Sequence, residues 1–217
     1  MILKVGLTGG LASGKSTIAE GLAKRGIPTL DADRVVHDLY APGAAGTRAV
    51  ARAFGNEFLE GDGSVDRRKL SVRVFHDAEA LAKLNRLIHP LVRDVQARWF
   101  EELGTKGEPL GVVEATLLVE TGGRARFDVL VAVSAPADMR LKRAIRRSGE
   151  TDPNEFVKRM AAQLPDESRE EVSDIVVRTD GTREELEVKI DALADELRAR
   201  AADAGAGRRS GFFSRPG

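Results

Sequence analysis

One pattern near the N-terminus constrains the fold of this chain more than any other feature of its sequence. Residues 9–16 read Gly-Gly-Leu-Ala-Ser-Gly-Lys-Ser and match G-x-x-x-x-G-K-[ST] in full. An apolar run at 2–8 precedes the pattern, and a segment with helical periodicity at 14–25 follows it and stops at Gly26. A strand, a glycine-rich loop and a helix in this order form the setting in which such loops wrap phosphate groups.

The residue types of this phosphate loop suit the phosphates of a nucleotide. Glycines let backbone N–H groups point at an anion with no Cβ in the way, and the following helix adds its positive N-terminal end. In such loops the lysine contacts the β- and γ-phosphates and the hydroxyl after it ligates Mg²⁺. The alternative is that the glycines merely make a tight turn. We predict ATP as co-substrate and Mg²⁺ as cofactor, bound by Gly9, Gly10, Leu11, Ala12, Ser13, Gly14, Lys15, Ser16 and Thr17.

The rest of the chain alternates short apolar runs with helical segments. The runs that read as further strands lie at 27–30, 110–113, 129–133 and 175–177. Strands that are nearly continuously apolar and alternate with helices indicate a parallel sheet with helices on both faces. We therefore predict an α/β fold with a P-loop NTPase-type three-layer core and a central parallel sheet, formed by residues 1–34 and 108–202.

Between the second and third predicted strands the sequence is helical in pattern and reads as an insertion, residues 35–107. Breaks are expected at glycines and prolines within it, including the step from His89 to Pro90. An amphipathic helix is predicted for 182–200. The final residues, 203–217, are rich in Gly, Ala, Arg and Ser, and we expect them to be disordered.

Composition excludes several classes of partner. The chain has 34 Lys and Arg against 34 Asp and Glu, a net charge of +0, which argues against coating nucleic acid or an anionic membrane. Without cysteine it has no disulfide and no thiolate metal site. No stretch approaches the about 20 apolar residues that span a bilayer. We expect a cytoplasmic protein whose partner is a small-molecule substrate.

Sequence motifs favour a kinase over a nucleotide-dependent switch. Switch GTPases read guanine with Asn-Lys-x-Asp, which the sequence lacks, and it has no clear Asp-x-x-Gly after its third strand. Asp31-Ala-Asp33 stands at the carboxyl end of the second strand, where open α/β sheets place ligands. A carboxylate there can accept a proton from an attacking hydroxyl or help to hold Mg²⁺. Either aspartate can instead cap the following helix.

Further residues, in their order and spacing, make the chain similar to the dephospho-CoA kinases. The family phosphorylates the ribose 3′-hydroxyl of dephospho-CoA with ATP, the last step of coenzyme A synthesis. The likeness extends over nearly the whole chain to about residue 200. It is carried by Val5–Thr17, Asp31-Ala-Asp33 with His37, Asp66-Arg67, Leu70, Val74-Phe75, Ile88-His89-Pro90, Leu117-Leu118 with Glu120, Arg159 with Ala162-Gln163, Ser173–Val176 and Asp180-Gly181.

The resemblance implies roles for individual residues. Asp33 corresponds to the proposed catalytic base, and the helical insertion to the acceptor-binding domain. A lid is implied at 140–165, with catalytic Arg143 and Arg147 leading into it; the alternative for these arginines is a solvated helix face. Lys15 is expected to act in catalysis as well as binding. Substrate contacts are implied for Thr8, Asp33, His37, His89, Glu114 and Leu117, and Mg²⁺ contacts for Ser16 and Glu114, the latter directly or through water.

The sequence also departs from the family pattern. Glu114-Ala115-Thr116 stands where an Asp-x-Pro is usual, Arg140 where Gln is frequent, and Arg178-Thr179 where Asn is common before the last glycine. Two rival functions stay open: a kinase for another small acceptor, such as a nucleoside monophosphate or a sugar acid, and a nucleotide-binding switch.

Overall fold

The computed structural model describes residues 2–75, 77–148, 156, 160 and 163–210, without the side chains of 147, 148 and 207–210. The strands are β1 Leu3–Gly9, β2 Thr29–Asp31, β3 Leu110–Glu114, β4 Val129–Ser134 and β5 Ile175–Arg178. The α-helices within these residues are α1 Lys15–Lys24, α2 Ala32–Leu39, α3 Ala45–Phe54, α4 Arg67–Phe75, α5 Ala78–Thr105, α6 Ala137–Ser148, α7 Asp166–Glu171 and α8 Arg183–Ser210. Short 3₁₀ turns lie at Asn56–Phe58 and Gly123–Arg126.

The chain divides into two compact units. The core unit comprises Met1–Leu30 and Glu102–Gly217, and the inserted unit comprises Asp31–Glu101. The inserted unit begins before predicted residue 35 because α2 starts directly after β2, where Asp31 caps it. It ends before predicted residue 107 because the last turn of α5 lies in the core unit.

The core unit is built on a five-stranded parallel sheet with the order β2-β3-β1-β4-β5. β1 pairs in parallel with β3 and with β4, so the strand that leads into the phosphate loop is central. On one face, Leu3, Val5 and Leu7 pack with buried side chains of α1 and α8. The other face is covered by Leu118 and Phe127 and by α7 against β4. The predicted α/β fold with helices on both faces of a parallel sheet is confirmed.

The terminal helix α8 is longer than the sequence predicted. It runs from Arg183 to Ser210, so the expectation of disorder is wrong for 203–210. Alanine is the strongest helix former, and Ala201 and Ala204 pack at the core cluster, so helix propensity and burial both extend α8. The remaining residues of that prediction, 211–217, lie outside the described residues.

The inserted unit is helical and has its own apolar cluster, centred on Tyr40, Val50, Val65, Leu70 and Ile88. The predicted break at the His89–Pro90 step is wrong, because α5 continues through Pro90. Proline removes one backbone hydrogen bond, but buried Ile88 before it and Phe100 after it hold both halves of the helix in place. None of the helices in the described part of the chain combines the length and apolar character that crossing a bilayer requires.

Candidate active site

The phosphate loop has the backbone geometry of an anion site. Ala12 and Gly14 have φ of 60° and 97°, and α1 begins at the next residue, Lys15. Left-handed residues beside a helix start turn successive N–H groups toward one concave side, which favours an anion. Gly14 is the N-cap residue and makes no side-chain cap, and the first turn of α1 contains no acidic residue. The N-terminus of α1 is therefore suited to a negative ligand.

The inside of the loop is tightly packed. A Cβ on Gly9 would lie 2.3 Å from the backbone oxygen of Val133 and 2.7 Å from Ser13 Oγ, so only glycine fits there. Ser13 is fully buried, and its Oγ has no hydrogen-bond partner among the described residues. A buried hydroxyl left unpaired costs free energy, which a phosphate oxygen would recover. The loop therefore fits the phosphates of ATP.

Lys15 lies against the loop that it follows. Its side chain is buried, with 8% of the residue exposed, and Nζ donates to the Gly10 carbonyl at 3.4 Å. The ammonium of Lys15 therefore lies close to the loop. Thr17, also predicted to bind the nucleotide, is exposed in the first turn of α1.

Ser16, in the first turn of α1, lies beside Glu114 at the carboxyl end of β3. The Ser16 hydroxyl donates to Glu114 Oε1 at 2.8 Å, and Glu114 is the last residue of β3. Hydroxyl and carboxylate oxygens are ligands that Mg²⁺ accepts, and Mg²⁺ usually keeps several waters as well. Within the described residues no cluster of three His, Cys, Asp or Glu side chains is able to hold a metal. The pair therefore fits a Mg²⁺ that takes its other ligands from water and phosphate.

Two predicted substrate contacts lie nearby in the core unit and differ in exposure. Thr8 is fully buried, and its hydroxyl donates to the Thr116 carbonyl at 3.4 Å. This contact fits a structural role at the end of β1 better than contact with substrate. Leu117, by contrast, is 47% exposed.

Arg143 supports the loop from behind. Its Nη1 donates to Thr179 Oγ1 at 2.8 Å and to the Ser13 carbonyl at 3.4 Å, and its Nη2 donates to the Thr179 carbonyl. Thr179 Oγ1 in turn donates to the Ser13 carbonyl at 2.7 Å. Arg143 is therefore not on a freely solvated helix face. The side chain of Arg147 and much of the predicted lid at 140–165 lie outside the described residues.

Sequence reasoning missed two further contacts to the loop. The Leu11 N–H donates to Gln163 Oε1 at 3.0 Å, and the Leu11 carbonyl accepts from Arg140 Nε at 2.8 Å. Arg140 was noted only as a departure from the family pattern, and Thr179 only as part of another. The signal available in the sequence was that each stands where the family pattern commonly has another residue.

A cavity of about 760 Å³ opens beside Arg140 at the carboxyl ends of β4 and β5. Both apolar and charged side chains line it, among them Met160, Gln163, Asp166 and Arg178. Its volume lies in the range of small-molecule sites.

In the inserted unit, Asp33 lies exposed in the first turn of α2. The N-cap role falls to Asp31, whose Oδ1 accepts from the N–H of Asp33 at 2.8 Å and of Arg34 at 3.2 Å. The capping alternative for Asp33 is therefore taken by its neighbour, and the Asp33 side chain is not required to start the helix.

The predicted histidines lie on different helices of the inserted unit. His37 is exposed on α2, with Nδ1 3.4 Å from Arg67 Nη1 of α4. His89 is half-buried on α5. Arg67 also acts on Tyr40. Burial raises the pKa of Tyr40 to about 12, and the positive charge of Arg67 partly opposes this effect. Tyr40 is thus a neutral phenol of the inserted core.

A glycine-rich loop between the first strand and first helix of a parallel sheet, followed by a lysine and a serine, places the chain among the P-loop nucleotide-binding proteins. The family model for dephospho-CoA kinase matches residues 3–185. The chain belongs to the dephospho-CoA kinase family.

Individual relatives are similar in sequence to this chain over almost their whole length. The chain is 37% identical to a dephospho-CoA kinase of Corynebacterium glutamicum, over 92% of this chain and 99% of that one. It is 40% identical to a dephospho-CoA kinase of Mesorhizobium japonicum, over 91% and 98%. Among solved structures, TT1252 from Thermus thermophilus has a TM-score of 0.73 at 34% identity and covers 90% of this chain and 98% of that one.

Proposed function

We propose that this protein transfers the γ-phosphoryl group of ATP to the ribose 3′-hydroxyl of dephospho-CoA, giving coenzyme A and ADP. The observation that carries the proposal is the phosphate loop, whose backbone geometry, unpaired Ser13 hydroxyl and adjacent Lys15 suit a nucleotide. Family membership supports ATP as the co-substrate and the nature of the acceptor.

In this proposal the core unit binds and neutralises ATP. Backbone N–H groups of the loop hold the phosphates, and Lys15 places a positive charge beside the group that is transferred. Ser16 and Glu114 would hold Mg²⁺, which when bound neutralises charge on the phosphate oxygens. The side chain of Glu114 is one methylene longer than the usual aspartate, yet it reaches Ser16 at 2.8 Å, so its length is compatible with this role.

The inserted unit supplies the acceptor side. Asp33 accepts the proton of the attacking hydroxyl at its carboxylate, a role for which its exposure and the separate cap by Asp31 leave it suited. His37, paired with Arg67, and His89 are proposed to contact dephospho-CoA. Arg67 adds a guanidinium, the group that best recognises phosphate oxygens.

The nucleotide's adenosine portion is proposed to occupy the cavity between α6, α7 and the ends of β4 and β5. Its volume of about 760 Å³ accommodates a base and a ribose. Arg143 stabilises the loop through Ser13, and closure of the 140–165 lid with Arg147 would exclude water from the transfer. A cytoplasmic location stays a prediction.

An ADP-release assay coupled to NADH oxidation tests the proposal with three reactions: dephospho-CoA, AMP, and no acceptor. We expect ADP release in the reaction that contains dephospho-CoA and not in the other two. Turnover on AMP alone would favour a kinase for another acceptor, and acceptor-independent hydrolysis or no ADP would favour a switch. Lys15→Ala is the matched control, because it must abolish most of the dephospho-CoA signal if that signal comes from this site.

A further inference from the structure

The outermost part of the phosphate loop is held by side chains from outside the loop. Leu11 has both backbone groups bonded in this way, its N–H to Gln163 and its carbonyl to Arg140. The Arg140 guanidinium also lies directly against Gly10, where an added Cβ would be 2.3 Å from Nη2. Arg140 is therefore in contact with two consecutive residues of the loop.

Arg140 is a buried cation whose charge is balanced by Asp166. Its side chain is 5% exposed, and Nη1 lies 2.6 Å from Asp166 Oδ2. The other Asp166 oxygen pairs with Arg169 at 2.7 Å, and Arg169, 2% exposed, pairs with Glu120 at 2.7 Å. Two cations and two anions thus alternate in one network. A charge buried this deeply is tolerated only when it is paired.

The guanidinium of Arg140 bonds both the phosphate loop and Asp166. Arg140 donates from Nε to the Leu11 carbonyl and from Nη1 to Asp166. Because the guanidinium is planar and rigid, fixing Nη1 on Asp166 also fixes the direction of Nε–H. Lysine has a single ammonium on a flexible stem and cannot set both directions in this way.

We propose that Arg140 and Asp166 are positioning residues that hold Leu11, and with it the phosphate loop, in the conformation that binds nucleotide phosphates. The inference rests on the proposed function insofar as the ligand is a nucleotide with at least two phosphates. When the pair is broken, the loop must be ordered at the moment of binding, and that cost weakens affinity. ATP and ADP should weaken alike, since both carry the β-phosphate that such loops enclose.

The test measures the Kd of ATP and of ADP by titration calorimetry for the full-length protein and its variants. We expect Asp166→Asn to weaken both nucleotides by about 5- to 30-fold. Arg140→Lys keeps a positive charge next to Asp166, which favours folding, but it loses the planar guanidinium that bonds Leu11 and Asp166 together. It should weaken ATP and ADP binding by a similar factor. The double variant Arg140→Gln with Asp166→Asn breaks the same contact as each single variant, so its loss of affinity should be smaller than the two single losses multiplied together.

Lys142→Gln is the matched control, because Lys142 lies on the same helix α6 with its side chain 73% exposed. Its Kd values should stay within about twofold of the wild type. The proposal is overturned if Asp166→Asn and Arg140→Lys lower the Tm but leave both Kd values unchanged, or if Lys142→Gln weakens binding equally. Wild-type protein that binds ATP but leaves dephospho-CoA unphosphorylated would contradict the proposed function alone, and the Kd ratios would still test the positioning role.

Discussion

The phosphate loop and the inserted helical unit support function in different ways. In the loop, the proposed phosphate-binding groups are mostly backbone N–H groups, and Gly9 and Gly14 shape the backbone that presents them. In the inserted unit, the proposed groups are side chains of Asp33, His37 and His89, spread over two helices of a unit with its own core.

This difference explains why the phosphate loop can be predicted from a short sequence pattern and the acceptor site cannot. A backbone site requires particular residues at fixed spacing, because each glycine is needed for geometry. A side-chain site on helices requires only that the fold present the groups, so many spacings serve. The loop therefore identifies ATP binding from a short pattern, whereas the acceptor was inferred from a resemblance over the whole chain.

The largest predicted effect separates the two regions by kinetics. We expect Asp33→Asn to lower kcat by about 10²- to 10⁴-fold with ATP affinity nearly unchanged, because it removes a proton acceptor and no phosphate contact. Lys15→Ala should damage both ATP affinity and turnover, because its ammonium lies at the loop. Steady-state kinetics with varied ATP and varied dephospho-CoA distinguish the two patterns.

A near-normal kcat in Asp33→Asn would remove Asp33 from the proposed role. Asp31→Asn is its control: asparagine also caps helices well, so this variant should keep α2 and retain most activity. Equal losses in both variants would mean that the start of α2, and not the Asp33 carboxylate, is what matters.

A smaller effect concerns the stability of the inserted unit. Leu70 on α4 is 3% exposed within its apolar cluster, so Leu70→Ala should reduce the free energy of unfolding by about 2–5 kcal/mol. Val72→Ala on the same helix, where Val72 is 66% exposed, should change it by less than about 0.5 kcal/mol. Urea unfolding followed by circular dichroism measures both.

If the two units are energetically separable, Leu70→Ala should leave the Kd of ATP at 25 °C close to that of the wild type. A large loss of ATP affinity in this variant would contradict the assignment of nucleotide binding to the core unit alone.

The smallest effect is a pH dependence at one helix start. The Ala80 N–H, and secondarily Arg73, hold the pKa of Asp77 below its usual value. A lowered pKa in the folded protein adds stability above the unfolded pKa of about 3.9, and that stability is lost as pH falls through the folded value. The stability difference between wild type and Asp77→Ala should therefore be larger at neutral pH than at pH of about 3.

A second carboxylate sharpens the contrast between the units. In the core unit, the pKa of Asp191 is lowered chiefly by its hydrogen bond with Arg25 rather than by backbone groups. Exposed ion pairs are screened by salt. The contribution of Asp191 should thus shrink in high salt, whereas that of Asp77 should change less. Urea midpoints of Asp191→Ala and Asp77→Ala at low and high salt test this, and equal salt sensitivity would contradict it.

The sheet and the loop were predictable from sequence because each depends on local pattern, whereas the family was predictable from motifs spread over nearly the whole chain. Apolar runs gave the strands, and the glycine–lysine pattern gave the turn between β1 and α1. The helix through Pro90 was not predictable, because packing of residues distant in sequence outweighs the local preference of proline. The extension of α8 to Ser210 differs from the prediction because alanine, counted there with glycine, arginine and serine as typical of disorder, is the strongest helix former.

Within the site, the missed residues act through long-range contacts. Thr179 and Arg140 reach the loop from positions more than a hundred residues further along the chain, and no spacing rule connects them to it. The roles of Asp33, His37, His89 and Leu117 stay predictions. Exposure alone does not distinguish a substrate contact from an ordinary surface residue.

The parallel pairing of β1 determines when this strand can form its hydrogen bonds during synthesis of the chain. Leu3 lies opposite Leu110 and Val5 opposite Val129, so the first strand emerges long before either neighbour has been translated. Every contact inside Asp31–Glu101 is available earlier. During synthesis the apolar segment 3–9 therefore waits with both hydrogen-bonding edges uncovered, the condition under which strands pair wrongly with other chains. Rapid folding of the inserted helices would not shorten the time during which β1 is unpaired. Only the synthesis of β3 and β4 provides the strands that pair with it.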